Sequence, residues 1–223
     1  MSIEGLAAGK VAVGYSKPYI ALYNVEGTTV SYTGAMLLAR GVEVNIAPNA
    51  PTENTFYADN VAAESDNSFT GGTLSLTVDG LLKATAALAE GTHTVKQIEI
   101  PSANGVEGGT VDVTHYNDKT SAPYLGFGCI IKYQSNGVEL YTPVVLTKIK
   151  FDPKALQSAT QAGSKNWQTQ VLTAQIFRDD GVDHDWKLVA DDQTSEAAAE
   201  AIIQALLGGV ATAATNTTST EEE

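Results

Sequence analysis

Cysteine is nearly missing from this chain: Cys129 stands alone among 223 residues. An intrachain disulfide framework is excluded, and so is any multi-cysteine metal site. Histidine is scarce too. His93, His115 and His184 have no cysteine or paired acidic motif beside them, so each reads as a strand or surface residue rather than a catalytic base. Basic charge is short, with 13 Lys and Arg against 26 Asp and Glu, a formal net charge of −13. A protein that grips phosphates needs a basic face, which excludes that kind of nucleic-acid binder. Charged residues make up only 17% of the chain and hydrophobic ones 43%, which excludes both a charge-laced coiled coil and a largely disordered chain. Long apolar runs are missing. The most apolar stretch, 201–214, is broken by Gln204, Gly208, Gly209 and Thr212, short of the roughly 18 residues of a membrane span. The first thirteen residues carry Glu4 and two glycines and lack the basic start and apolar stretch of a signal peptide. The expectation is a soluble protein of a reducing cytoplasm, with no membrane contact.

Motifs of catalysis and cofactor binding are missing as well. The G-L-A-A-G-K at 5–10 is one residue short of a phosphate-binding loop, and Val11 follows where Ser or Thr is required. Gly126-Phe127-Gly128 lacks the third glycine of a dinucleotide fingerprint and reads as a strand whose glycines allow close packing. No G-x-S-x-G elbow occurs. No cofactor and no enzymatic activity are expected. One acidic cluster, Asp179, Asp180, Asp183 and Asp185 in D-D-G-V-D-H-D, has two readings. It is a hairpin turn at Asp180-Gly181 with solvated acids, or a site for a hard cation such as calcium.

What is present is β pattern. In 41–47, Val42, Val44 and Ile46 alternate with Glu43 and Asn45; in 73–78, Leu74, Leu76 and Val78 alternate with Thr73, Ser75 and Thr77. Period-two alternation predicts strands with one buried and one wet face. Further strands are predicted over 19–24, 28–32, 95–100, 110–115, 127–133, 138–150, 170–178 and 186–190, with a turn at Ser135-Asn136-Gly137. Two helices are predicted. The first covers 79–90, capped by Asp79 and ended by Gly91, with Leu81, Leu82, Thr85 and Leu88 on one face. The second covers 195–207, capped by Ser195, with Ala199, Ile202, Ile203, Leu206 and Leu207 on one face. The fold class is mainly β, in one domain over 1–190 followed by a C-terminal helix and acidic low-complexity tail over 191–223. Residues 179–223 hold eleven acids against Lys187. The interval 48–70 is read as a long acidic loop. Its Phe56, Tyr57 and Phe69 mark a contact surface, or else fold back on their own core.

The stretch 12–32, with K-P-Y-I-A-L-Y-N and G-T-T-V-S-Y, resembles the start of major tail proteins of long-tailed bacteriophages with non-contractile tails. So do A-R-G-V-E-V-N-I-A-P, F-Y-A-D-N at 56–60, S-F-T-G-G-T-L-S-L-T-V-D at 68–79, Y-L-G-F-G-C-I-I-K-Y and K-F-D-P-K-A-L-Q-S-A-T-Q. The resemblance covers roughly residues 10 to 180 and leaves the acidic stretch beyond unmatched. It implies a tail tube protein: a β-sandwich with a flanking helix, six copies of which close an inner β-barrel in rings that stack into a hollow tube. Its long loop would reach the neighbouring ring through Phe56, Tyr57, Asp59, Asn60, Glu64 and Phe69. Its lumen wall would carry Glu43, Asn45, Thr73, Ser75 and Thr77. The partners implied are further copies of itself, a tape-measure protein inside the tube, tail terminator and distal tail proteins at its ends, and double-stranded DNA passing without specific binding. The place implied is the virion tail, reached from the host cytoplasm during assembly. A strand-rich chain also suits an immunoglobulin-like adhesion module on a particle surface, which would be a compact monomer. A metal-dependent hydrolase built on the 179–185 aspartates would need a second set of convergent groups, and the sequence offers none.

Overall fold

A computed structural model describes residues 9–49, 54–58, 61–66, 68–91, 94–102, 107–117, 120–155, 158–160, 163 and 167–209. Among the described residues, twelve strands and two helices run in the order β1 (Val11–Glu26), β2 (Thr29–Leu37), β3 (Gly41–Asn49), β4 (Asn54–Ala58), β5 (Val61–Asp66), β6 (Gly71–Val78), α1 (Lys83–Glu90), β7 (Thr94–Ile100), β8 (Gly109–His115), β9 (Leu125–Ser135), β10 (Val138–Phe151), β11 (Gln170–Phe177), β12 (Lys187–Val189) and α2 (Glu196–Leu206). The mainly-β expectation holds. Eight strands form one antiparallel sheet, β2-β1-β9-β10-β11-β6-β3, with β12 also on β10.

Strand β10 decides the shape. One edge pairs β9 over most of its length. On the other edge, Val144–Leu146 pair β12 and Lys148–Phe151 pair β11. The sheet forks between them at Thr147. There the Thr147 amide donates to the Trp186 carbonyl at 3.3 Å and its hydroxyl to the Asp185 carbonyl at 2.6 Å. Beyond the fork the sheet curls on itself. Ile20, Phe127 and Leu146 share a core with Leu74, Leu76, Leu172 and Ile176. Gly41, opening β3, lies against the Tyr15 ring of β1; a Cβ there would sit 2.2 Å from ring carbon Cε1. The opposite face of β1-β9-β10 carries Tyr19, Ala21, Ile130 and Val145, covered by Ala199, Ile203 and Leu207 at α2. Two glycines of β9 admit the helix: a Cβ on Gly128 would lie 2.5 Å from Ile203 Cγ2, and one on Gly126 would lie 2.5 Å from the Tyr32 ring. The packing role expected for this glycine pair is present.

Several expectations are corrected. The first helix begins at Lys83, not Asp79, and Leu82 precedes it with no side-chain cap. Asp79 closes the mouth of β3 instead: its carboxylate accepts the Arg40 amide at 3.1 Å and its own amide donates to the Arg40 carbonyl at 3.1 Å. Leu82, placed on the buried face by the helical period, is 72% exposed. Ser195 does cap α2, accepting the Ala198 amide at 3.3 Å, but the buried face is Ala199, Ile203 and Leu207, with Ile202 half-buried and Leu206 exposed. In β3, Val44 and Ile46 pack inward, whereas Val42 is 57% exposed because the register shifts between Gly41 and Glu43. The interval 48–70 is not one loop: β3 continues to Asn49, and β4 and β5 pair as a separate hairpin. Strand β1 starts eight residues before the predicted 19–24, across a bulge at which Lys17 has φ 54°.

Candidate assembly surface

Strands β3, β6 and β11 lie side by side. Their cross-strand rows place Glu43 beside Thr77 and Val171, Asn45 beside Ser75 and Thr173, and Ala47 beside Thr73 and Gln175. In β6, Leu74, Leu76 and Val78 are buried while Thr73, Ser75 and Thr77 are half-exposed; β11 alternates in phase with Leu172, Ala174 and Ile176 buried. Because the side-chain period is two, all polar members of these rows share the face away from the core. The five residues Glu43, Asn45, Thr73, Ser75 and Thr77 are therefore brought onto one surface. Hydroxyls and amides dominate it, and Glu43 is the one charge among the five.

Cations border this surface on β10, where Lys150 stands opposite Gln175 and Lys148 opposite Phe177. Neither is a loose cation. Lys148 is 13% exposed at its side chain and donates to Asp180 Oδ2 at 2.6 Å, its ammonium 5.0 Å from the Tyr23 ring centroid and 4.6 Å from that of Tyr124. Lys150 lies 5.4 Å from the Tyr124 centroid and donates to Ser121 Oγ at 3.3 Å. Cation–π contacts and the ion pair hold both ammonium groups against neighbouring side chains.

Asp180 is the anchor of that arrangement. The Tyr23 hydroxyl donates to Asp180 Oδ2 at 2.9 Å and accepts the Asp180 amide at 3.0 Å. The Lys148 ammonium first, and the Tyr23 hydroxyl next, hold the Asp180 carboxyl below its ordinary value of 3.8. Burial pushes the Tyr23 phenol up to about 12. The 179–185 segment folds as a compact turn, with the Asp179 amide donating to the Asp185 carbonyl and the Gly181 amide to Asp179 Oδ1. The Asp179 and Asp180 carboxylates are thus engaged in structure, and the exposed Asp185 takes part through its carbonyl; Asp183 is exposed. Among the described residues no three His, Cys, Asp or Glu gather as a cation site. A carboxyl whose folded pKa is depressed stabilises the fold above its unfolded value, and that contribution is lost as pH falls through the folded one. Asp180→Asn should lower the melting temperature at pH 7. The gap from wild type should close as pH drops below about 3.8. Thermal melts from pH 7 to pH 3 are the check, and a gap that stays constant contradicts this role for the ion pair.

Two arms stand apart from the main sheet. In the β4–β5 arm Phe56 pairs with Glu64 and Tyr57 with Ala62; Asp59 and Asn60 fall outside the described residues. Phe69 does not belong to this arm: its ring stacks on Trp186 with centroids 4.4 Å apart, so it is engaged within its own chain. In the β7–β8 arm Ile98 stands opposite Val111 and Lys96 opposite Val113, giving one mostly apolar face on which Ile98, Ile100 and Val111 are exposed. A two-stranded ribbon is marginal by itself in water. A cavity of about 710 Å³ opens where β10 and β11 end, walled by Phe151, Pro153 and Phe177. Sequence reading missed the Lys148–Asp180–Tyr23 junction, the β7–β8 apolar face and this cavity. Only the alternation of Ile98 and Ile100 with Gln97 and Glu99 signalled any of them. No helix among the described residues is long and apolar enough to cross a membrane.

No family model matches the chain, and no curated protein matches it.

Proposed function

We propose that this chain is a structural subunit that assembles with copies of itself into stacked hexameric rings, forming a phage tail tube through which DNA is ejected into the host. The observation that carries this reading is the outer face of β3-β6-β11, a broad strip in which Thr, Ser, Asn and Gln outnumber Glu43, Ala47 and the exposed Val171, backed by a solid apolar core. A conduit for duplex DNA must offer its phosphates no fixed cation, since each Lys or Arg contact adds sequence-independent affinity. The two lysines bordering the strip are already paired or stacked. Strand β3 also ends the sheet, and sheet edges invite pairing with another chain. Joining such edges in a ring would complete an inner barrel from a sandwich-like subunit and remove the edges.

On this reading Glu43, Asn45, Thr73, Ser75 and Thr77 line the lumen. The β4–β5 arm reaches the next ring through Phe56 and Tyr57, with Asp59, Asn60 and Glu64 beside them. A tape-measure protein occupies the growing tube, and terminator and distal tail proteins close its ends. Negative-stain micrographs of the purified protein test the proposal. Rings and tubes are expected. Compact monomers at every concentration would overturn it in favour of an adhesion-type module.

A further inference from the structure

The β9–β10 hairpin turns on Asn136-Gly137, one of two Asn-Gly dipeptides in the chain; the other, Asn104-Gly105, lies outside the described residues. Ser135 and Val138 pair across the turn, so the loop is of the two-residue kind. Asn136 has φ 49° and Gly137 has φ 81°. Two positive values in succession mark a type I′ turn, whose twist matches that of the flanking strands. Both residues are exposed, and a Cβ on Gly137 would meet nothing within 4 Å. Water reaches the dipeptide freely.

An asparagine followed by glycine carries both partners of a reaction. The Gly137 amide nitrogen can attack Asn136 Cγ. A C–N bond forms, and the side-chain nitrogen leaves as ammonia with the proton that the attacking amide gives up. The product is a cyclic succinimide. Water then adds to one of its two carbonyls and cleaves a ring C–N bond, leaving aspartate or isoaspartate. Glycine is the successor that hinders the attack least, because it has no Cβ beside its nitrogen and rotates freely.

The closed turn withholds the nucleophile. Type I′ is the mirror image of type I, so ψ at its first central residue is about +30°. For an L-residue this turns the Gly137 nitrogen to the side of the Cα–C bond away from Cβ, whereas ring closure needs the two eclipsed. The turn must open before the bond can form. We propose that Asn136 is a conformation-gated deamidation site, converted while the tip of the β9–β10 hairpin is open and protected while it is paired. The two products differ in consequence. Asp-Gly also suits a type I′ turn, so the aspartate form re-closes the hairpin with one more negative charge. Isoaspartate puts an extra carbon into the main chain, and lengthens the loop that fixes the register of Ser135 with Val138. The modification thus records time spent open, at the strand whose fork shapes the sheet.

The test compares three samples at mildly alkaline pH: the folded protein, the same protein unfolded in urea, and a synthetic peptide of residues 134–140. Conversion of Asn136 is followed by peptide-mapping mass spectrometry, with the aspartate and isoaspartate forms separated by chromatography. The folded protein should convert at least about tenfold more slowly than the peptide, the factor given by an opening free energy of about 1.4 kcal/mol. Urea should bring the protein to the peptide's rate. Glu139→Lys replaces the Lys132–Glu139 ion pair, 2.8 Å long, with a like-charge pair and leaves the dipeptide intact. A thermal melt confirms that this variant is folded, and its folded-state conversion should be about twofold faster than wild type or more. Folded wild-type protein that converts at the peptide's rate overturns the gate. So does slow conversion that Glu139→Lys fails to speed, because the reaction would then be running from the closed turn.

Discussion

Ile203→Asp is expected to detach α2 from the sheet and remove most of the stability of that side of the molecule. Ile203 is fully buried, and its Cγ2 occupies the space left by the missing side chain of Gly128. No cation faces it within its cluster, which consists of Tyr19, Ala21, Ile130, Val145, Ala199 and Leu207. An unpaired buried carboxylate costs several kcal/mol, more than the helix gains by docking, so the helix leaves rather than carry the charge inward. The loss is then capped by the docking energy. Full burial of a side chain such as Ile203 or Leu207 stabilises by about 1.5–3 kcal/mol. Losing both puts the loss near 3–6 kcal/mol, against a total stability of about 5–15 kcal/mol. An eleven-residue helix does not hold alone in water, so residues 196–206 should lose helicity as they lift off. The second core, around Phe127 and Leu74, does not involve α2 and should persist. The expected signature is a partly unfolded protein that binds a hydrophobic dye and loses amide protection in α2 first. Ile203→Val, costing only about 0.5–1.5 kcal/mol, is the control. An unchanged melting temperature for Ile203→Asp would show that α2 does not brace the sheet.

How far the fold was legible depends on whether one face of each element is forced inward. Strand β6 alternates because β3 and β11 flank it and its apolar side closes the core, so its pattern can be read directly from Leu74 to Val78. The first half of β1 escaped notice because Gly14, Ser16 and Pro18 are breaker signals, yet a bulge at Lys17 absorbs them and pairing with β9 continues on both sides. The β4–β5 hairpin escaped notice for a different reason. It pairs as a two-stranded sheet separate from the main one. Asp79 looked like a helix cap because a capping acid and a strand-end acid share one composition; the choice depends on Arg40, which lies 39 residues earlier. The polar surface was readable residue by residue. The pairing of Asp180 with Tyr23 across 157 positions was not, since no local pattern encodes it.

On the tube reading proposed above, Glu43→Lys should convert a passive conduit into a DNA-binding one. Glu43 is exposed on β3 beside Thr77, so the change leaves the core untouched and should cost no more than about 0.5 kcal/mol of stability. Tubes should therefore still assemble. Its electrostatic effect is far larger, because the substitution recurs in every subunit of a hexameric ring and replaces a charge that repels phosphate with one that holds it. A protein making six to ten phosphate contacts loses about 10³–10⁵ in affinity between 50 mM and 200 mM salt. Mutant tubes should bind duplex DNA with a salt dependence of that order, whereas wild-type tubes should not retain it at either salt. The neighbours favour the effect: Asn45, Thr73, Ser75 and Thr77 carry no carboxylate that would neutralise the new ammonium. A thermal melt confirms that the variant is folded, and DNA retention by assembled tubes at the two salt concentrations measures the charge effect. Equal retention by mutant and wild type at 50 mM would place Glu43 outside the lumen. In that case β3 would face the tube exterior, and the barrel would have to be built from the opposite edge of the sheet, β2.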